Sequence, residues 1–188
     1  MKTGRADKNL LVLLTILILG FGIRFVSIYP ANTTVGFDQA RDFFDSVNII
    51  ANHHLRIIGP TAGNNPNLHH GTAYLYYILL PLVLLGGNPI WAVLWNSIFN
   101  VGAAAILYFL NKSIFKNTSA GIFAALIAAF SFQFVQYSGW LSNPTVTIFT
   151  VPLFFLGLWK YYQKKNWGLI VAGWPWDFQL SLNCFFCT

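Results

Sequence analysis

Apolar residues in this chain come in long blocks, not in alternation with polar ones. The first block runs from Leu10 to Tyr29, LLVLLTILILGFGIRFVSIY. A membrane-spanning helix needs about 20 mostly apolar residues, and this block supplies them. Residues 31–71 break the pattern: they are polar, rich in Asn, Pro and Gly, and hold all four histidines. Apolar blocks then resume at Thr72–Leu85, which is short and contains Pro81, at Ile90–Leu110, at Ala120–Tyr137, at Thr145–Trp159 and from Trp167 onward. This succession predicts an all-α, polytopic transmembrane helical bundle, with a long polar loop after its first helix.

Composition agrees with that pattern. Hydrophobic residues make up 56% of the 188 and charged residues 9%, against about 25% charged in average soluble domains. So few charges would not cover the surface of a soluble fold, whereas a bilayer accepts an apolar exterior. The net charge of +6 comes from basic residues scattered between apolar blocks. That distribution points to membrane topology and argues against nucleic-acid binding.

Lys2, Arg5 and Lys8 precede the first block, which places the N-terminus in the cytoplasm by the positive-inside rule. No small-x-small cleavage site follows the block, so an uncleaved helix is expected and not a signal peptide. Arg24 sits near the outer end of this helix, either snorkelling to the headgroups or serving function. Thr72–Leu85 sets the side on which everything later falls. If it crosses, Lys112, Lys116, Lys160, Lys164 and Lys165 all lie outside. If it rests in the outer interface as an amphipathic or re-entrant helix, those lysines lie inside and the Tyr137–Pro144 turn lies outside. The second arrangement obeys the rule and is expected.

Chemistry is concentrated in the polar loop. The chain has five acidic residues, all Asp, and three of them fall within GFDQARDFFDSVNII: Asp38, Asp42 and Asp45. On a helix their i, i+4, i+7 spacing puts all three on one face. Phe43, Phe44, Val47 and Ile50 are then left to bury the other side at the membrane surface. The bland account is a solvated face, with Asp38 as a helix cap beside Gly36. The functional account is a cluster of acids with Arg41 beside it. The loop's mixture of His, Asp and Arg admits a carboxylate–imidazole metal site or a catalytic base with a cationic phosphate clamp. The adjacent pairs His53–His54 and His69–His70 are poor joint ligands, so no metal site is assigned.

The order of motifs resembles the GT-C superfamily of membrane glycosyltransferases, of the protein O-mannosyltransferase and lipid A aminoarabinose transferase type. The matching pieces are GFDQARD (Gly36–Asp42), IIGPTAG (Ile57–Gly63), HGTAYLYYILLPL (His70–Leu82), LNKSIFKNTSAGIFAAL (Leu110–Leu126) and YSGWLSNPT (Tyr137–Thr145). The resemblance extends over nearly the whole chain, to about Gly173. The resemblance implies a polyprenyl-phosphate sugar as donor and, by position, Asp38 as catalytic base. It also supports an interfacial helix at Thr72–Leu85. Many relatives carry Arg and a second Asp at the turn after the third spanning helix. Here Gly139 and Asn143 stand near those positions. Asn143 can hydrogen-bond a substrate but cannot act as a base, so Asp38 is left alone in that role.

The implied reaction is transfer of the sugar to an acceptor hydroxyl at the outer membrane face. Asp38 takes the hydroxyl proton while the lipid phosphate leaves the anomeric carbon. Arg41, Arg56 and Arg24 are the cations available to the phosphate. Asp42, His54 and Asn143 are further substrate-binding candidates, His54 also being a weaker alternative base. A divalent cation in place of the arginines is equally compatible. The resemblance points to a bacterial or archaeal plasma membrane as the setting. The alternative is a non-enzymatic membrane transporter or assembly subunit. Transporters place polar groups within their spanning helices. Here Asn96, Asn100 and Gln133 are the main ones, and helix–helix hydrogen bonding explains them.

The last fifteen residues break the pattern. After Gly173 the chain reads WPWDFQLSLNCFFCT, which puts Trp, Pro, Asp and Cys where a spanning helix should continue. A shifted reading frame accounts for this: read one base earlier, the codons of Trp174–Phe178 force an Ala-x-Gly core of apolar helix type. On this expectation residues 1–173 are the N-terminal part of a longer GT-C-like domain. The tail 174–188 is atypical, the CxxC of Cys184 and Cys187 is an accident of frame, and the chain itself is an incomplete, inactive copy.

Overall fold

The computed structural model describes residues 3–28, 36–61, 67, 69 and 71–173, with 3–7, 78–80, 82–84 and 143 described as backbone only. Among the described residues the fold is all-helical. The helices are α1 (Thr3–Ile28), α2 (Phe37–Ala51), α3 (Ala73–Leu85), α4 (Pro89–Phe115), α5 (Thr118–Phe130), α6 (Phe132–Ser138) and α7 (Thr147–Tyr162), the last entered by a 3-10 turn at Asn143–Val146. A further helical segment, α8, covers 167–173. An isolated bridge between Thr61 and His69 closes the base of the polar loop.

Among the described residues, two helices are long and apolar enough to cross a membrane: α1, over Lys8–Ile28, and α4, over Pro89–Phe115. α5 and α6 add a third if taken together, but they meet at an angle of 52°. The apolar block Ala120–Tyr137 is therefore not the single straight helix its sequence predicts. Two other blocks also fall short. At 1.5 Å per residue, the 13 residues of α3 reach about 20 Å and the 16 of α7 about 24 Å, against a hydrocarbon core of about 30 Å. α3 also lacks the charged face of an amphipathic helix, its only polar side-chain atoms being tyrosine hydroxyls.

The helix ends are set locally. Asn88 caps α4 by accepting from the Ile90 amide at 3.0 Å, and Pro89 occupies the first turn, where a missing N–H costs nothing. Lys116 takes a left-handed conformation at the end of α4, and Asn117 caps α5 through the Ser119 amide at 2.9 Å. Gly86 and Gly87, with φ of +81° and +83°, turn the chain from α3 back onto α4. That backbone region is one glycine adopts freely.

α1, α4 and α5 pack through small residues. Ala104, Ala125 and Ala129 are wholly buried beside Leu13, Ile16 and Tyr108. A Cβ on Gly121 of α5 would stand 2.7 Å from the Tyr108 carbonyl of α4, so this crossing needs a residue without one. Small residues of this kind let membrane helices approach closely. A second cluster, Ile28, Tyr74, Ala92, Val93, Leu141 and Val146, joins the ends of α1, α3 and α4 to the α6–α7 connection. α2 packs against this cluster through Phe43, Val47 and Ile50. Residues 174–188, on which the reading-frame expectation falls, lie outside the described residues.

Candidate functional site

α2 forms as its sequence predicts, but it rolls differently. Gly36 is the N-cap, and Gln39 reaches back so that its Oε1 accepts from the Gly36 amide at 2.9 Å. Asp38 is thus released from capping. It lies in the first turn, where negative charge is favoured by the helix dipole, and its side chain is 69% exposed. Asp42 does not belong to a solvated face: it is buried with Ser46 and Ile49 on the side turned toward α3. Ser46 Oγ donates to the Leu75 carbonyl of α3 at 3.1 Å, fixing that register. Phe44 faces outward instead, at 64% exposure.

Arg41 ties the acids together. Its Nη1 pairs with Asp38 Oδ1 at 2.9 Å, while Nε and Nη2 donate to Asp42 Oδ1 at 3.0 and 2.8 Å. Burial pushes the Asp42 carboxyl above its usual value; Arg41 works against that shift, and Asp38 and Asp45 add to it.

Asp38 forms part of the wall of an open cleft of about 690 Å³. One side is the start of α2, Gly36–Gln39; the other is α6 and the residues after it, with Phe132, Gln133, Gln136, Tyr137 and Trp140. Gln133, Gln136 and Tyr137, spaced i, i+3, i+4, share one face of α6, and Trp140 follows just past the helix end. Tyr137 and Trp140 stack at 5.4 Å between centroids and 24° between planes. Carboxamides can both donate to and accept from hydroxyls, and stacked aromatic faces offer apolar contact area.

α6 is held over this cleft from behind. Arg24 of α1 is fully buried and does not snorkel. Its Nη1 donates to the carbonyls of Ala129 at 2.6 Å and Gly20 at 2.9 Å, its Nη2 to that of Ala128 at 3.3 Å, and its Nε to Ser138 Oγ at 2.9 Å. These Ala carbonyls are among those a helix terminus leaves without partners, here because α5 stops at the bend. From α4, Asn96 Nδ2 donates to the carbonyls of Ser138 at 3.1 Å and Tyr137 at 3.3 Å. Asn96 therefore does join helices, whereas Asn100 bonds the Asn96 carbonyl of its own helix. Gln133, grouped with them in the sequence, lines the cleft instead.

The other candidates lie elsewhere. Arg56 pairs with Asp45 and donates to the Ile58 carbonyl at 2.9 Å. With His54 it borders a separate depression at the C-terminal end of α2. Asp45 is seven residues from Asp38, about 10 Å along the helix axis. His69 Nδ1 lies 3.0 Å from the Gly59 carbonyl, and among the described residues no three His, Cys, Asp or Glu side chains converge as metal ligands. The Asn143 side chain and His70 fall outside the described residues. Of the sequence-stated candidates, then, Asp38 borders the cleft, with Arg41 and Asp42 bonded beside it.

Comparison of the chain with protein-family models, with characterised proteins and with solved structures returns no match. Among the described residues the chain is all-helical, with two helices long and apolar enough to cross a membrane and an acid-bordered cleft.

Proposed function

We propose that this protein is a polytopic membrane glycosyltransferase, or the N-terminal part of one, using a polyprenyl-phosphate sugar as donor. The observation that carries this reading is the cleft, which brings Asp38 of the polar loop opposite the amide and aromatic face of α6. Gln133 and Gln136 hydrogen-bond sugar or acceptor hydroxyls, and Trp140 and Tyr137 contact the apolar face of a sugar ring. Asp38 takes the proton from the acceptor hydroxyl as that oxygen attacks the anomeric carbon. The bond from that carbon to the phosphate oxygen breaks, and polyprenyl phosphate leaves with the electron pair. Arg41 is the cation nearest to the cleft in sequence and bonding, and it bears on the leaving phosphate. The N-terminus lies in the cytoplasm and the cleft at the outer face, as the scattered lysines favour.

The test is reconstitution in liposomes of a full-length counterpart carrying the same GFDQARD segment, with a labelled polyprenyl-phosphate sugar and with donor binding and transfer read separately. Asp38→Asn is expected to lower transfer about 10²- to 10⁴-fold with donor binding retained. Asp45→Asn, whose side chain pairs with Arg56 away from the cleft, should change transfer little. Equal transfer by wild type and Asp38→Asn would remove Asp38 as base. Flux of a soluble solute without donor binding would favour a transporter instead.

A further inference from the structure

Ser113 lies near the opposite end of α4 from Asn96, seventeen residues or about 25 Å further along the helix. Three donors from the end of α7 converge on its hydroxyl. Trp159 Nε1 lies at 2.9 Å, Gln163 Nε2 at 3.1 Å and Lys160 Nζ at 3.3 Å. A hydroxyl oxygen has two acceptor lone pairs, so three donors outnumber what Ser113 can accept; Lys160 Nζ also reaches Gln163 Oε1 at 3.5 Å, again a neutral acceptor. Lys112, one residue before, places its Nζ 3.3 Å from the Tyr108 hydroxyl, another neutral partner. No carboxylate lies nearby in sequence to balance these cations: residues 46–176 contain neither Asp nor Glu.

Lys112, Ser113 and Lys160 open onto one hollow of about 490 Å³, completed by Phe109, Leu156 and Trp167. Two ammonium groups from different helices, both with neutral hydrogen-bond partners, call for an acceptor-rich anion. The apolar wall beside them calls for a ligand with a hydrocarbon portion. Helix-end lysines are ordinarily explained by topology and by the helix dipole. That explanation serves Lys164 and Lys165, but it does not account for donors from α4 and α7 meeting in one hollow.

We propose that this hollow binds the phosphodiester of an anionic membrane lipid, with Lys112 and Lys160 holding the phosphate and Phe109, Leu156 and Trp167 lying along the start of its chains. The site stands apart from the cleft and does not depend on the reaction assigned there. Basic pockets between membrane helices bind lipid headgroups through the same chemistry.

The test is native mass spectrometry of the full chain in detergent, titrated with phosphatidylglycerol or phosphatidylcholine of identical acyl chains, and in a third arm with inorganic phosphate as competitor. Wild type is expected to prefer phosphatidylglycerol on the order of tenfold. Lys112→Gln/Lys160→Gln should lose that preference, while Lys164→Gln/Lys165→Gln, which removes the same charge, keeps it. Lys112→Gln alone leaves the Ser113 cluster intact and should lower the preference partway, so a misfolded double variant does not stop the test. Equal binding of the two lipids, or equal loss from the two double variants, overturns the site. Full displacement of phosphatidylglycerol by millimolar phosphate overturns the lipid as its ligand in favour of a free anion.

Discussion

Arg24 donates to Ser138 Oγ at 2.9 Å across 114 residues of sequence, and the same guanidinium holds the carbonyls that end α5. One side chain of α1 thus spans the break between α5 and α6 and fixes the angle at which α6 overhangs the cleft. Arg24→Gln should lower the thermal unfolding temperature in detergent more than Ser138→Ala does. The serine contributes one interhelical bond, worth about 0.6–1.5 kcal/mol. Arg24→Lys should fall between them, since an ammonium cannot serve Ser138 and both Ala carbonyls from one position. Wild-type stability in Arg24→Gln would show that the buried guanidinium is not what joins the two halves.

The cleft wall gives a second expectation. Trp140→Ala removes one member of the Tyr137–Trp140 stack and should weaken donor binding about two- to tenfold, since aromatic contacts of this kind carry about 0.5–1.5 kcal/mol beyond their buried area. Helix content by circular dichroism should not change. Unaltered binding of the labelled donor by Trp140→Ala would mean that the sugar does not sit on this face.

Burial of Asp42 has a consequence with a definite sign. Its folded pKa is raised above the ordinary 3.8, so the folded state binds more protons than the unfolded state between that value and the raised one. Stability should therefore fall as pH rises through that window and level off above it. Asp42→Asn should flatten this part of the profile. Denaturation midpoints in detergent, measured from about pH 3.5 to 7, check this: an identical slope in wild type and Asp42→Asn would assign the dependence to another group.

Topology can be read directly. With Cys184 and Cys187 replaced, a single cysteine at Asn88 should react with an impermeant reagent in intact cells. One at Ser113, near the other end of α4, should react only after permeabilisation. Labelling of Asn88 from the cytoplasmic side alone would reverse the orientation proposed here.

Some of this was legible in the sequence and some was not. α1 and α4 follow from their apolar length, and α2 from the spacing of Asp38, Asp42 and Asp45 among phenylalanines. The rotation of α2 was hidden, because burying Asp42 depends on Arg41 lying beside it and on Ser46 bonding α3. The bend at Ser131 was hidden for a similar reason. No Gly or Pro marks it, and its freed carbonyls are satisfied from α1, over a hundred residues away. Asp38 stood out because acids are scarce. Its cleft partners on and just after α6 did not, although the i, i+3, i+4, i+7 spacing of Gln133, Gln136, Tyr137 and Trp140 in the sequence was a signal available for them.

The turn at Gly86 and Gly87 bears on how such a chain can change over generations. On the topology proposed above, α3, about 20 Å long and returned at once onto α4, makes an excursion into the interface and back. An in-and-back segment adds nothing to the odd or even number of crossings before α4. Insertions or deletions between α1 and α4 can thus accumulate without inverting a single helix downstream. On that topology, orientation of insertion and the chemistry of the cleft are separable traits: the segments of residues 31–71 outside α2 are open to changes of length, while the lysines keep the later helices facing the same way.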